Sequence, residues 1–126
     1  MKSFITAITI AVILICGSLF YSKHLENESR SLLRINGNIS DAILKDDYPS
    51  AETYIDELED NIDSFEEFFL ATGNHAEIDS IKTNLAELRS FSKGGMKWDA
   101  LAKTYVLDFL LSHLPENMRL KIGNIL

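Results

Sequence analysis

The chain has 126 residues, 46% of them hydrophobic, and carries 12 basic against 19 acidic side chains for a net charge of −7. That length supports one domain around a single core, and the acidic balance argues against nucleic acid or anionic lipid headgroups as partners, since both repel it. The one cysteine, Cys16, excludes an internal disulfide, so apolar packing has to hold the fold together.

The first element is the uncharged run FITAITIAVILICGSLFY, which begins at Phe4, ends at Tyr21 and lies between Lys2 and Lys23. Its length falls within the roughly 17 to 25 residues that a helix needs to cross the hydrocarbon core. Thr6, Thr9 and Ser18 are too few to make a polar face. The run is therefore expected to sit in the lipid bilayer as a single-pass anchor, residues 1–21, with a body over residues 22–126. The competing reading is a cleaved secretory signal cut near Cys16 and Ser18, but Leu19, Phe20 and Tyr21 carry the apolar pattern past such a cut. Bulky Ile13, Leu14 and Ile15 argue against lipid attachment at Cys16.

Orientation is contested between two rules. Counted by basic residues, Lys23, Arg30 and Arg34 outweigh Lys2 and would hold the body in the cytoplasm. A three-residue head leading straight into an apolar run has the form of a signal-anchor, which exports the chain beyond it. The second rule is preferred, so the body is expected outside the cytoplasm at the cell membrane. Without Lys2 the body keeps 11 basic against 19 acidic residues, a net −8.

Beyond the run, Leu25, Leu32, Ile35, Ile39 and Ala42 recur at steps of three, four and seven, which predicts a helix with coiled-coil character continuing to about Lys45. Gly37 is its weak point and permits a bend. The sequence KDDYPS places Pro49 in the first turn of a second helix, where a missing N–H costs nothing. Ala51, Tyr54, Ile55, Leu58, Ile62, Phe65 and Phe69 line one face of that helix down to Gly73. Asn74 with Glu77 reads as a capping box for a third helix, whose stripe is Ile78, Ile81, Leu85, Leu88 and Phe91 and whose stop is Gly94 and Gly95.

A fourth helix is expected from about Met96, with Trp98, Leu101, Ala102, Tyr105, Val106, Phe109, Leu110 and His113 or Leu114 at helical spacing, closing at Pro115. The tail holds Leu120, Ile122, Ile125 and Leu126 and is expected to dock on the body. No strand pattern stands beside these helices. The expected fold is all-α: an N-terminal transmembrane helix, then an antiparallel bundle of three to four helices with a docked C-terminal tail.

Candidate sites are sparse. Glu52, Asp56, Glu59, Asp63 and Glu66 stack on one side of the second helix, where like charges repel and a cation, a basic partner, or Lys82, Arg89 and Lys103 would offset them. Phe68 and Leu70 fall off the main stripe and offer an apolar contact surface. His75, Asp79 and His113 are the nearest thing to a metal set, without the spacing of a known motif. Phe65 and Trp98 read as core. No nucleophile stands beside a base, and no cofactor, metal or catalytic residue is assigned.

The motifs DDYPSAE at the second helix, NHAEIDSI around His75, HLPE from His113 to Glu116 and the closing NIL, together with the apolar head, resemble a domain-of-unknown-function family of small membrane-anchored proteins from Gram-positive, often spore-forming, bacteria. Phe68 and Phe69 stand where members tend to have tryptophan. The resemblance implies no activity; it implies service to a membrane partner, and structural roles for His75, His113, Pro115 and Asn124. The expected function is a non-enzymatic, membrane-tethered interaction module accessory to another membrane or envelope protein, with homo-oligomerisation also open. The alternative is a cation or ligand sensor built on the acidic second helix or on His75, Asp79 and His113.

Overall fold

The computed structural model describes the backbone over residues 1–69 and 75–125 and the side chains over 1–67 and 75–115. Four helices follow in order, α1 (Lys2–Leu44), α2 (Tyr48–Phe69), α3 (His75–Lys93) and α4 (Lys97–Ile125), and no strand lies among the described residues. Each helix packs on its two neighbours in the ring α1, α2, α3, α4, so α2 and α4 lie diagonally across the bundle. The apolar run forms the first half of α1, long and apolar enough to cross a membrane; it is exposed as far as Phe20, and Tyr21 is half-buried against the core. Helix α1 passes through Gly37 without interruption.

Burial on α1 follows a heptad: Leu25, Ser29, Leu32, Asn36, Ile39 and Ile43 are all sequestered, alternating steps of four and three, with Ile35 and Ala42 beside them toward the core. Two of these positions are polar, and both reach α4. Asn36, fully buried, donates from Nδ2 to the Thr104 carbonyl at 2.9 Å and to Asp108 Oδ1 at 2.8 Å. Ser29 donates to the Leu111 carbonyl at 2.8 Å. Seven residues up α1 thus match seven down α4, and Lys97 Nζ donating to the Leu44 carbonyl continues the same antiparallel register.

The Ser29 contact explains a departure from the sequence expectation. Pro115 does not close the fourth helix; α4 runs on to Ile125 with the proline inside it. A proline in a helix interior supplies no N–H to the carbonyl four residues back, which here belongs to Leu111. Ser29 of the neighbouring helix supplies that hydrogen bond instead, so the buried carbonyl keeps a partner and the helix continues. The tail therefore prolongs α4, and docking of its side chains lies outside the described residues.

The buried face of α4 also differs from the one expected. Ala100, Thr104, Leu107, Leu111 and Leu114 are sequestered, while Trp98, Tyr105, Val106 and Phe109 are exposed and Leu101 and Leu110 half-buried. The helix carries apolar side chains on two opposite sides, with Lys97, Asp99, Lys103 and Asp108 between them, so periodicity left two rows to choose between. Small Ala100 and Thr104 let the α4 backbone come within hydrogen-bond reach of Asn36. A row led by Trp98 and Tyr105 would hold the helices apart. On α2 and α3 the expected stripes are buried, with Tyr54 and Phe91 half-covered and Ser92 joining them; Phe69 lies outside the described side chains.

The turns at the far end are tightly specified. Asp46 and Gly95 both adopt positive φ, at 58° and 67°, and each is followed by a residue whose N–H reaches back over the helix end, Asp47 to Ala42 and Met96 to Phe91. Asp47 then caps α2 by accepting from the Ser50 N–H at 3.2 Å, and the Ser50 side chain first and this N–H second hold its carboxyl below the ordinary carboxylate range. Because the folded form has the lower pKa, this stabilisation is present above the unfolded value near ~3.9 and is lost as pH falls through the folded one. Asp47→Ala is expected to melt at a lower temperature than the native chain at neutral pH, with the gap narrowing below about pH 4, as followed by circular dichroism.

Candidate functional site

The acidic stripe of α2 is brought against α3, which supplies the counter-charges. Arg89 spans Glu52 at 2.5 Å, Asp56 at 2.7 Å and Glu59 at 2.5 Å. Lys82 bridges Asp63 and Glu66, and Lys93 lies 3.8 Å from Glu52. Burial works to lower the Arg89 pKa, but the hydrogen bonds it donates to Asp56, Glu59 and Glu52 outweigh it and hold the group above its ordinary value. The Lys82 pKa is raised, chiefly by the Glu66 hydrogen bond. Lys103, the third cation offered by the sequence, serves α3 instead, pairing with Glu87 at 2.5 Å. The stripe is thus an inter-helix seam. The cleft beside it, lined by Glu59, Ile62, Asp63, Lys82, Leu85, Ala86 and Arg89, measures about 230 Å³.

The histidine set does not assemble. His75 at the start of α3 and Asp79 one turn on are exposed and His113 is exposed on α4; among the described residues no three His, Cys, Asp or Glu side chains come together as a metal cluster. His113 is engaged by its own helix, its Nδ1 2.8 Å from the Phe109 carbonyl and 3.2 Å from Ser112 Oγ, with its ring 4.4 Å from that of Phe109. The Asn74 capping box, Leu70 and the Phe68 side chain lie outside the described residues.

What the fold leaves open is the outer face shared by α1 and α4. Trp98, Tyr105 and Phe109 are 74%, 78% and 59% exposed and, with Ala102 between them, fall at steps of four and three along a single row. Beside them, Leu33 of α1 joins Tyr105, Asp108, Phe109 and Ser112 around a groove of about 300 Å³. Gly37 lies one turn along α1 from Leu33, and a Cβ there would meet nothing within 4 Å. Lys97 Nζ sits 5.6 Å above the Trp98 ring. Soluble monomers keep few contiguous apolar patches of this kind, and those they keep mark contact sites.

By spacing alone this row reads as core. The signal against that reading is the presence of two apolar rows on one helix, of which a bundle buries one. Ser29 and Asn36 escape a search for apolar stripes as well, although a pair of small polar residues seven apart inside a heptad is the pattern of a register-setting contact.

Fold and surface together define the class: a long apolar N-terminal helix continuous with an antiparallel four-helix bundle that carries an exposed aromatic row. The chain belongs to the family described as Domain of unknown function (DUF4363), whose family model matches residues 19–125, the bundle and the last residues of the apolar run. No curated protein and no solved structure matches the chain.

Proposed function

We propose that the protein is a non-enzymatic, membrane-tethered helical module that binds another protein at the membrane or cell envelope, with its body outside the cytoplasm. The observation that carries this reading is the Trp98, Tyr105 and Phe109 row, three large aromatics left uncovered by a bundle whose interior is otherwise filled. Aromatics of this kind supply contact energy at low entropic cost and dominate protein interfaces. Tethering by residues 4–21 raises the effective concentration of a weak contact without any new interaction. A Gram-positive envelope is the setting the family resemblance implies. The sensor alternative loses support because Arg89 and Lys82 already stand where a cation on the acidic stripe would sit.

The test is a photo-cross-linking residue placed at Phe109, with one at exposed Asp60 on α2 as control, irradiated in intact membranes. A protein adduct from position 109 and none from position 60 is the expected result. Recovery of the chain as a lone monomer from both positions would remove the reading. Labelling an engineered Asp60→Cys with an impermeant reagent on intact cells reports the side of the membrane, and protection of that thiol would place the body inside.

A further inference from the structure

Resting on the reading above, the geometry points to a second copy of this chain as the protein seated on the α1/α4 face, in a parallel two-fold dimer whose axis lies along the bilayer normal. Three occupants compete for the row, and the register decides among them.

Lipid is excluded by height. Lys97 is level with Leu44, 23 residues of continuous helix beyond Tyr21, and Phe109, two residues before Leu111, is level with a point about ten beyond it, so at ~1.5 Å per residue the row stands from about 15 Å at Phe109 to about 35 Å at Trp98 from the end of the apolar run, clear of the hydrocarbon. The chain's own C-terminal segment is excluded by direction, because it remains helical to Ile125 and runs away from Trp98 toward the apolar run. A protein partner remains.

The size of the row selects a partner held in the same membrane. At about 150 to 250 Å² per aromatic side chain, Trp98, Tyr105 and Phe109 at their observed exposures present on the order of 400 Å². A stable interface between freely diffusing proteins takes about 800 Å² from each partner. Such a patch is too small alone and sufficient when both partners share an anchor.

Charge and symmetry then favour a copy of the same chain. Two bodies of this acidity repel across most orientations, but the eight carboxylates of α2 have no Lys or Arg among them on that helix, and α2 lies diagonally opposite α4. Meeting through α1 and α4 keeps the two acidic helices farthest apart. Copies inserted in one orientation place every residue at equal height, and a two-fold axis parallel to the row sets Ala102 against Ala102 and α1 of each copy against α4 of the other. Arg30, one turn nearer the membrane than Leu33 on α1, is level with Leu110, so it stands beside Asp108 and Phe109 of the other copy, where a cation is favoured by both.

The experiment uses the full chain with Cys16→Ser and Ala102→Cys, oxidised in native membranes and, in parallel, as the sole protein in phosphatidylcholine vesicles. A reductant-sensitive adduct of twice the 14.2 kDa chain mass is expected in both, absent from Asp60→Cys, and reduced on the order of tenfold or more by adding Tyr105→Glu, an exposed position whose change leaves the melting temperature in place. A monomer in vesicles with an adduct of some other mass in cells would overturn the dimer and leave the interaction module standing. A monomer in both, with no photo-adduct at position 109, would overturn the two together.

Discussion

Ser29→Ala is expected to cost about 1 to 3 kcal/mol, the penalty of leaving a buried carbonyl without a donor, and to lose most of that cost when Pro115 is also replaced by alanine. The native Leu111 carbonyl takes its hydrogen bond from Ser29 because Pro115 has none to give. Alanine at 115 restores an N–H from within α4, and the serine becomes dispensable. The double-mutant cycle, read by denaturant melts of the detergent-solubilised full chain, should therefore show a coupling of about 1 kcal/mol or more. Strict additivity would mean that the serine and the proline are unrelated and that α4 survives its proline by other means. The single change Pro115→Ala separates this from general damage, since it should leave the protein folded and at least as stable.

Arg89→Gln is expected to destabilise the bundle by about 1 to 2 kcal/mol, between the ~0.2 to 1 typical of exposed ion pairs and the ~3 to 5 of buried ones. The guanidinium is 23% exposed and serves three carboxylates, whose mutual repulsion on α2 is released when it goes. The loss should grow at low salt, where that repulsion is least screened. Calcium should raise the melting temperature of this variant and leave that of the native chain unmoved, because in the native chain the arginine occupies the position a cation would take. A calcium shift in the native chain would revive the sensor reading.

Most of the bundle was legible in the residues because helical periodicity is a local property. Leu25, Leu32, Ile35, Ile39 and Ala42 on α1, Ile55 and Leu58 on α2, and Ile81 and Leu88 on α3 are buried where spacing alone placed them. Beyond Tyr21 on α1, and along α2 and α3, one side is apolar and the other polar, so burial admits a single answer. Pro49 in a first turn and Gly95 at positive φ were equally readable, since backbone chemistry permits few alternatives there. The acidic stripe was visible too, and two of the three cations proposed, Lys82 and Arg89, pair with it, while Lys103 goes to Glu87 and Lys93 was not foreseen.

Residue order was enough to specify an acid-rich, disulfide-free, all-helical chain with one long apolar head and a bundle of three to four helices, because composition, period and helix-end signals act within a few residues of one another. Which of two apolar rows on α4 turns inward, and so which aromatics stay exposed, was settled only by the packing of the helices. The same packing also decided that α4 outlives Pro115. Both outcomes rest on contacts between residues far apart in the chain, Asn36 with Thr104 and Ser29 with Leu111, and no pattern confined to one helix can report what its neighbour will donate.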